Sequence, residues 1–239
     1  MKIKFVWLNI ALVFIGLSII YYFIAIGEID KTFLTISTFV FSIFTGFFIS
    51  RQNSRYDKIR EKLSQFDGNM SSIYRALFHF GPSIQDEAGE IIKKHYKKII
   101  KNNAWYYHIV HESTTVKDLH ELIESRLASK KLTTLQSTAM TRISFALHDL
   151  QLARKGFIAS YQERLPKVQW LLIDGLAIII LINISAISSQ HIFLTSLLKA
   201  AFGTAIILTL FLLRQLDNLE LFEGAVGEDS ARDVIDIIE

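Results

Sequence analysis

FLTISTFVFSIFTGFFISRQNSRYDKIREKLSQFDGNMSSIYRAL, residues 33–77, reads as one helix whose chemistry inverts partway along. Taking alternate steps of three and four from Thr35 traces Thr35, Thr38, Ser42, Thr45, Ile49, Gln52, Tyr56, Ile59, Leu63, Phe66, Met70, Ile73 and Leu77. This is the a/d spacing that turns one side of a helix towards a neighbour. Up to Thr45 the seam is small and hydroxylated while the rest of the helix is Phe, Ile, Leu and Val. From Tyr56 it is apolar, and the flanks become Arg55, Lys58, Arg60, Glu61, Lys62 and Asp67. Helices in lipid pack through small residues and hydroxyls, because apolar surface is already at home there. In water the packed side must be apolar. The inversion near Arg51 therefore marks the membrane surface, and Tyr56, Ile59, Leu63, Phe66, Met70 and Ile73 form the seam of a cytoplasmic stalk.

Around this helix the chain has 239 residues, 51% of them hydrophobic, with two prolines and no cysteine. The missing cysteines exclude a disulfide scaffold and thiol chemistry. Long apolar runs with so few Gly and Pro predict an all-α membrane protein. The net charge of +3 conceals an asymmetry. Residues 51–167 carry 20 Lys/Arg against 12 Asp/Glu, and residues 214–239 carry 2 against 8.

Four apolar segments reach spanning length: about Phe5–Ile26, Phe33–Ser50, Val168–Ser188 and Ile192–Leu213. The first is too long for a signal peptide and lacks a small-residue cleavage site, so it is an expected anchor. The links Gly27–Thr32 and Ser189–His191 have room only for tight hairpins. The positive-inside rule then puts the N-terminus, residues 51–167 and the C-terminus in the cytoplasm. The expected organisation is transmembrane helices 1 and 2 in 1–50, a helical cytoplasmic domain in 51–167, transmembrane helices 3 and 4 in 168–213, and an acidic cytoplasmic tail in 214–239. Within the insert the long helix should stop at Phe80-Gly81-Pro82. Ser83 should open the next helix, with Asp86 as its capping-box partner. Helices over Val116–Ala128 and Leu132–Glu163 should follow, and Pro166 should start the third span.

Chemistry-bearing residues are sparse. His108, His111 and Glu112, and His120 with Glu121 and Glu124, lack a zinc-protease spacing, so no metal site is expected. There is no Gly-rich phosphate loop, nucleophile elbow or paired-carboxylate motif, and no cofactor or catalytic residue is expected. The face of Lys93, Lys94, Lys97, Lys98 and Lys101 reads as solvated, as a contact for anionic headgroups or the acidic tail, or as a vestibule that concentrates anions. No nucleic-acid-reading motif accompanies it. Asp174 and Lys199 are ionisable residues inside spans and so candidates for function or for helix pairing. Thr38, Ser42, Thr45 and Gln52 either join helices or line an aqueous path. In the second case Phe41, Phe44 and Phe48 would form apolar rings that gate by dewetting.

Several motifs resemble the bestrophin-like domain family of bacterial integral membrane proteins, related to bestrophin ion channels. They are Thr45-Gly46-Phe47-Phe48-Ile49-Ser50-Arg51, Ile73-Tyr74-Arg75, Leu165-Pro166, and Leu216-Asp217 through Phe222-Glu223-Gly224, followed by the acidic segment Glu228–Ile238. Where the family has a proline beside the phenylalanine of the tail, this chain has Asn218-Leu219-Glu220-Leu221. The resemblance implies a homopentameric ion channel of the bacterial inner membrane, with membrane lipids and inorganic ions as partners and a pore lined by the second helix. Two other readings stand beside it. One is a proton-driven stator-like unit, which also inserts a helical domain between its second and third spans. The other is a non-conducting oligomeric scaffold or sensor whose long helix is an oligomerisation stalk.

Overall fold

The computed structural model describes residues 2–23, 31–102, 114–128, 131–187, 192–220 and 225–238. The expected hairpin at 189–191, most of that at 27–32, and His108, His111, Glu112 and Glu223 lie outside these residues. All the regular structure among the described residues is helical. In chain order the helices are α1 (Lys2–Phe23), α2 (Lys31–Leu77), α3 (Pro82–Asn102), α4 (Thr115–Leu127), α5 (Thr134–Gln162), α6 (Lys167–Ser185), α7 (Ile192–Asp217) and α8 (Ala225–Ile238). Three helical stretches are long and apolar enough to cross a membrane: Thr32–Phe80, Thr134–Ser185 and Ile192–Asp217. In α1 the apolar stretch Ala11–Phe23 is shorter. α2 is unbroken over 47 residues, about 70 Å at 1.5 Å per residue.

The chain divides into two compact units, Met1–Asn53 with Arg164–Leu221, and Ser54–Glu163 with Phe222–Glu239. In the first unit α7 packs against both α1 and α6. A Cβ at Gly203 would lie 3.2 Å from Leu17, 3.3 Å from Leu181 and 3.3 Å from the Tyr21 hydroxyl, so the missing side chain is what lets these helices approach. The buried cluster joins Phe41 and Phe48 of α2 to Ile173, Ala177 and Ile180 of α6 and Ala200, Ile206 and Leu213 of α7.

In the second unit the apolar side of α2 (Ile59, Leu63, Phe66, Met70, Ile73 and Leu77) is buried, as are Ile92, Tyr96, Leu119, Ile123, Ile143, Leu150 and Phe157. α3 packs against α4 and α8, and α4 against α5. α2 ends at Leu77 and runs into a 3₁₀ turn, Phe78–Phe80, and Gly81 takes φ +109°, a conformation suited to glycine. α3 then begins at Pro82, whose missing N–H costs nothing in a first turn. This moves the helix start from the expected Ser83, whose hydroxyl instead donates to Glu87 at 3.4 Å. A capping box does form at α5: Gln136 N donates to the Thr133 hydroxyl, and Thr133 N donates to the Gln136 side chain. It sets the start of α5 at Thr134 rather than Leu132. α8 buries Ala231, Val234 and Ile238. Ile238 approaches Gly89 so closely that a Cβ there would lie 3.1 Å from its side chain, and the Tyr74 hydroxyl donates to the Ile238 carbonyl at 3.4 Å.

Candidate pore helix and its buried carboxylate anchor

The residues of the sequence seam do not share one face of α2. A straight α-helix drifts about 20° per heptad relative to a strict seven-residue repeat, and so about 120° over the six heptads from Thr35 to Leu77. The seam accordingly begins on an uncovered side and ends inside. Thr35 and Ser42 are exposed, Thr38 is half-buried, and Thr45 and Gln52 are buried. Tyr56, Ile59, Leu63, Phe66, Met70 and Ile73 all lie within the core of their own unit.

The hydroxyls of Ser37 and Thr38 donate to the carbonyls of Phe33 and Leu34, each at 2.8 Å. Ser37 also accepts from Asn183 Nδ2 at 3.4 Å, which joins α2 to α6. Phe41 and Phe48 are 7% and 3% exposed. Phe44 is half-buried against the same cluster and stacks on Phe48 at 6.3 Å. The bare face of α2 carries a different line, Phe39, Ile43 and Phe47, at 65%, 53% and 61% exposure. Ser42, Gly46 and Ser50 lie beside it, also exposed. This apolar line repeats every four residues, a signal present in the sequence. On a helix apolar all round, however, that spacing did not stand out from the neighbouring Phe41 and Phe48.

Where α2 leaves its apolar stretch, Gln52 enters a buried polar cluster centred on Asp217, the last residue of α7. Asp217 Oδ1 accepts from Gln52 Nε2 at 3.1 Å and from the Leu165 backbone N–H at 2.8 Å. Its Oδ2 accepts from Trp170 Nε1 at 3.3 Å. The Arg214 guanidinium lies 6.0 Å from the centre of the Trp170 ring, at the outer limit of a cation–π contact. Leu165 sits in the non-helical link between α5 and α6, where a buried N–H has no helical acceptor and must find another. One carboxylate thus ties α2, this link, α6 and α7 together. Two of the motifs carrying the family resemblance, Leu165-Pro166 and Leu216-Asp217, converge on it. Their contact joins residues far apart in the chain, so the sequence could mark each motif but not their meeting.

The two charges expected within spans have separate surroundings. Asp174 is exposed on α6. Lys199 is half-buried and donates to the Ser185 carbonyl at 3.0 Å, one of the acceptors left open at the end of α6. In the second unit Arg55 Nε donates to the Ser160 carbonyl at 2.7 Å and Arg55 Nη2 to the Tyr161 carbonyl at 2.5 Å, so a cation closes the C-terminus of α5. The Tyr96 hydroxyl donates to Asp67 Oδ1 at 2.6 Å. Burial, then the adjacent Asp67 charge and this hydrogen bond, push the Tyr96 phenol well above its ordinary value of 10.0.

Among the described residues no three His, Asp or Glu side chains are gathered as a metal would need. His120 and Glu124 form only an exposed pair one turn apart at 3.9 Å. Lys93, Lys94, Lys97, Lys98 and Lys101 surround a shallow hollow on α3 together with Glu90.

The whole chain superimposes on the crystal structure of a point mutant of a bacterial bestrophin homologue from Klebsiella pneumoniae, with a TM-score of 0.64. The match covers 100% of this chain and 99% of the other at 17% identity, a likeness of fold. None of the curated proteins matches this sequence. The Bestrophin-like domain matches residues 24–227, which takes in α2, the Asp217 cluster and the start of α8. By that match the chain is a membrane protein of the Bestrophin-like domain family, related to the bestrophin ion channels.

Proposed function

We propose that the chain is one subunit of a homo-oligomeric ion channel, a pentamer by likeness to bestrophins, in the bacterial inner membrane. In this reading α1, the first half of α2, α6 and α7 cross the bilayer, and both termini face the cytoplasm with residues 51–167. The bare face of α2 carries the reading. One side of the helix is held in the core by Phe41, Thr45 and Phe48 and anchored through Gln52. The opposite side offers large apolar groups interleaved with Ser42, Gly46 and Ser50. Brought around a symmetry axis, that side makes apolar constrictions separated by hydroxyl-lined steps, which can gate by dewetting. Of the residues first singled out, Ser42 faces this path, Thr38 and Phe44 flank it, and Phe41, Thr45 and Phe48 support it from behind. Phe39, Ile43 and Phe47 take the role of the rings. The stalk seam of Tyr56 to Ile73 packs into its own unit, so the scaffold reading loses the feature that favoured it.

Ion flux through liposomes containing the purified protein tests this. Phe39→Ala and Phe47→Ala should raise flux several-fold without loss of folded protein. Absence of flux from the wild type and from both variants, across voltage and pH, would sink the channel reading.

A further inference from the structure

The second unit contains a concavity of about 560 Å³ between α2, the 3₁₀ turn and α5, with Ile237 of α8 on one side. That volume lies within the usual range for small-ligand sites. Arg75 enters it from the last turn of α2 and Arg142 from α5, and Ser72, His79 and Gly68 also line it. Among the described residues no carboxylate lines it, and neither guanidinium has an ion-pair or hydrogen-bond partner. The frame is braced locally: Gln136 Nε2 donates to the His79 carbonyl at 3.1 Å, which ties α5 to the 3₁₀ turn. At Gly68 a Cβ would meet nothing within 4 Å, so the absent side chain leaves that wall open.

We propose that this concavity is a binding site for a soluble phosphate-bearing solute, held between Arg75 and Arg142. Two guanidinium forks with no counter-charge among the described residues match an oxyanion carrying at least two negative charges, which one carboxylate does not supply. The Ser72 hydroxyl is placed to donate a further hydrogen bond. A phosphate could also come from a lipid headgroup. Along the single helix α2, however, Gly68 lies 18 residues and Arg75 lies 25 residues beyond Ser50. These separations are about 27 and 37 Å of helix, beyond the reach of headgroups at the end of the apolar stretch. The exclusion of lipid rests on the membrane placement proposed above; the arginine cradle does not.

The test is calorimetric titration of inorganic pyrophosphate into the full-length protein in neutral detergent at physiological salt. The expected result is saturable binding at one site per subunit. Arg75→Gln and Arg142→Gln should each weaken it at least about tenfold, the scale of losing one charge-assisted contact. Gly68→Leu, which fills the hollow and leaves both arginines, should weaken it as much. The pair Lys94→Gln and Lys97→Gln on the lysine face should leave it unchanged. Cooperative thermal melts at or above the wild-type midpoint show that each variant remains folded, and the exposed arginines make this the expected outcome for their variants. Binding that is absent, that survives both arginine changes, or that falls with the lysine pair instead would overturn the proposal. Equal affinity in nanodiscs of phosphatidylcholine and of phosphatidylglycerol supports a soluble ligand. Loss of binding only with phosphatidylglycerol would assign the cradle to a headgroup and overturn the soluble form. Because the readout is binding, its failure leaves the channel reading untouched, and a failed flux measurement leaves this site standing.

Discussion

The two halves of α2 turn opposite kinds of residue outward. In the first half the enclosed side holds Ser37, Thr45 and Gln52 among aromatic rings, while Phe33, Ile36, Phe39, Ile43 and Phe47 face outward. In the second half Ile59, Leu63, Phe66, Met70 and Ile73 are enclosed, and Asp57, Arg60, Glu61, Ser64 and Ser72 face outward. Outward apolar side chains are tolerable where the surroundings are lipid or a neighbouring chain. In water the same arrangement would forfeit the free energy of burial, about 25 cal/mol per Å² of apolar surface. On the membrane placement proposed above, one continuous helix satisfies two solvents by exchanging the chemistry of its outward side rather than by changing its backbone.

The sharpest way to break this comparison is to truncate neighbouring phenylalanines on opposite sides of the first half. Phe48→Ala should cost about 3–5 kcal/mol, because it leaves a cavity in a packed cluster. Phe47→Ala removes a ring that the subunit itself does not enclose, and should cost under about 1 kcal/mol. Thermal or denaturant unfolding in detergent measures both, and equal losses would mean that the two faces are not distinguished as described. Next in size is Asp217→Ala, which strands Gln52, the Leu165 N–H and Trp170 Nε1 together. About 3 kcal/mol is expected from leaving buried donors without an acceptor. Asp217→Asn, which retains one acceptor oxygen, should lose less.

A smaller effect probes the second half through Tyr96. Its phenol is raised in the fold, so the protonated form is the one the native state favours. The associated stability is fully present below the ordinary value of 10.0 and drains away as pH rises above it towards the raised value. Unfolding followed from pH 8 to 11 should therefore show a steepening loss that Tyr96→Phe removes, while that variant costs about 1 kcal/mol near neutrality. A wild type and a variant with parallel alkaline profiles would contradict it. The smallest effect is a gain. Gly68→Ala places a methyl in open space within a helix and should add about 0.5–1 kcal/mol, seen as a raised melting temperature.

Much of the helical order was legible. Runs of spanning length, the break at Gly81-Pro82 and the restart after Pro166 are local, and each reflects a backbone preference carried by a few adjacent residues. The capping box shows the limit of such local signals. Ser83 with Asp86 and Thr133 with Gln136 offer similar chemistry, but Pro82 can occupy a first turn without an N–H and pre-empts the first pair. The candidate site was only half legible. Thr38, Ser42 and Phe44 border the bare face, whereas Phe41 and Phe48 are enclosed. On a helix apolar on every side no contrast in polarity tells the enclosed ring from the bare one. The strict heptad count also hid a rotation that grows with every turn.

The sequence by itself determined that this is a helical membrane protein with a long helix whose chemistry inverts near Arg51, because hydrophobic run length and the inversion of polarity are properties of the chain alone. Only the tertiary structure decided which side of that helix is enclosed, that Asp217 gathers Gln52, Leu165 and Trp170, and that Arg75 and Arg142 share one concavity. Each of these depends on which distant residues come to lie within a few ångströms, and packing between helices, not local preference, sets that distance.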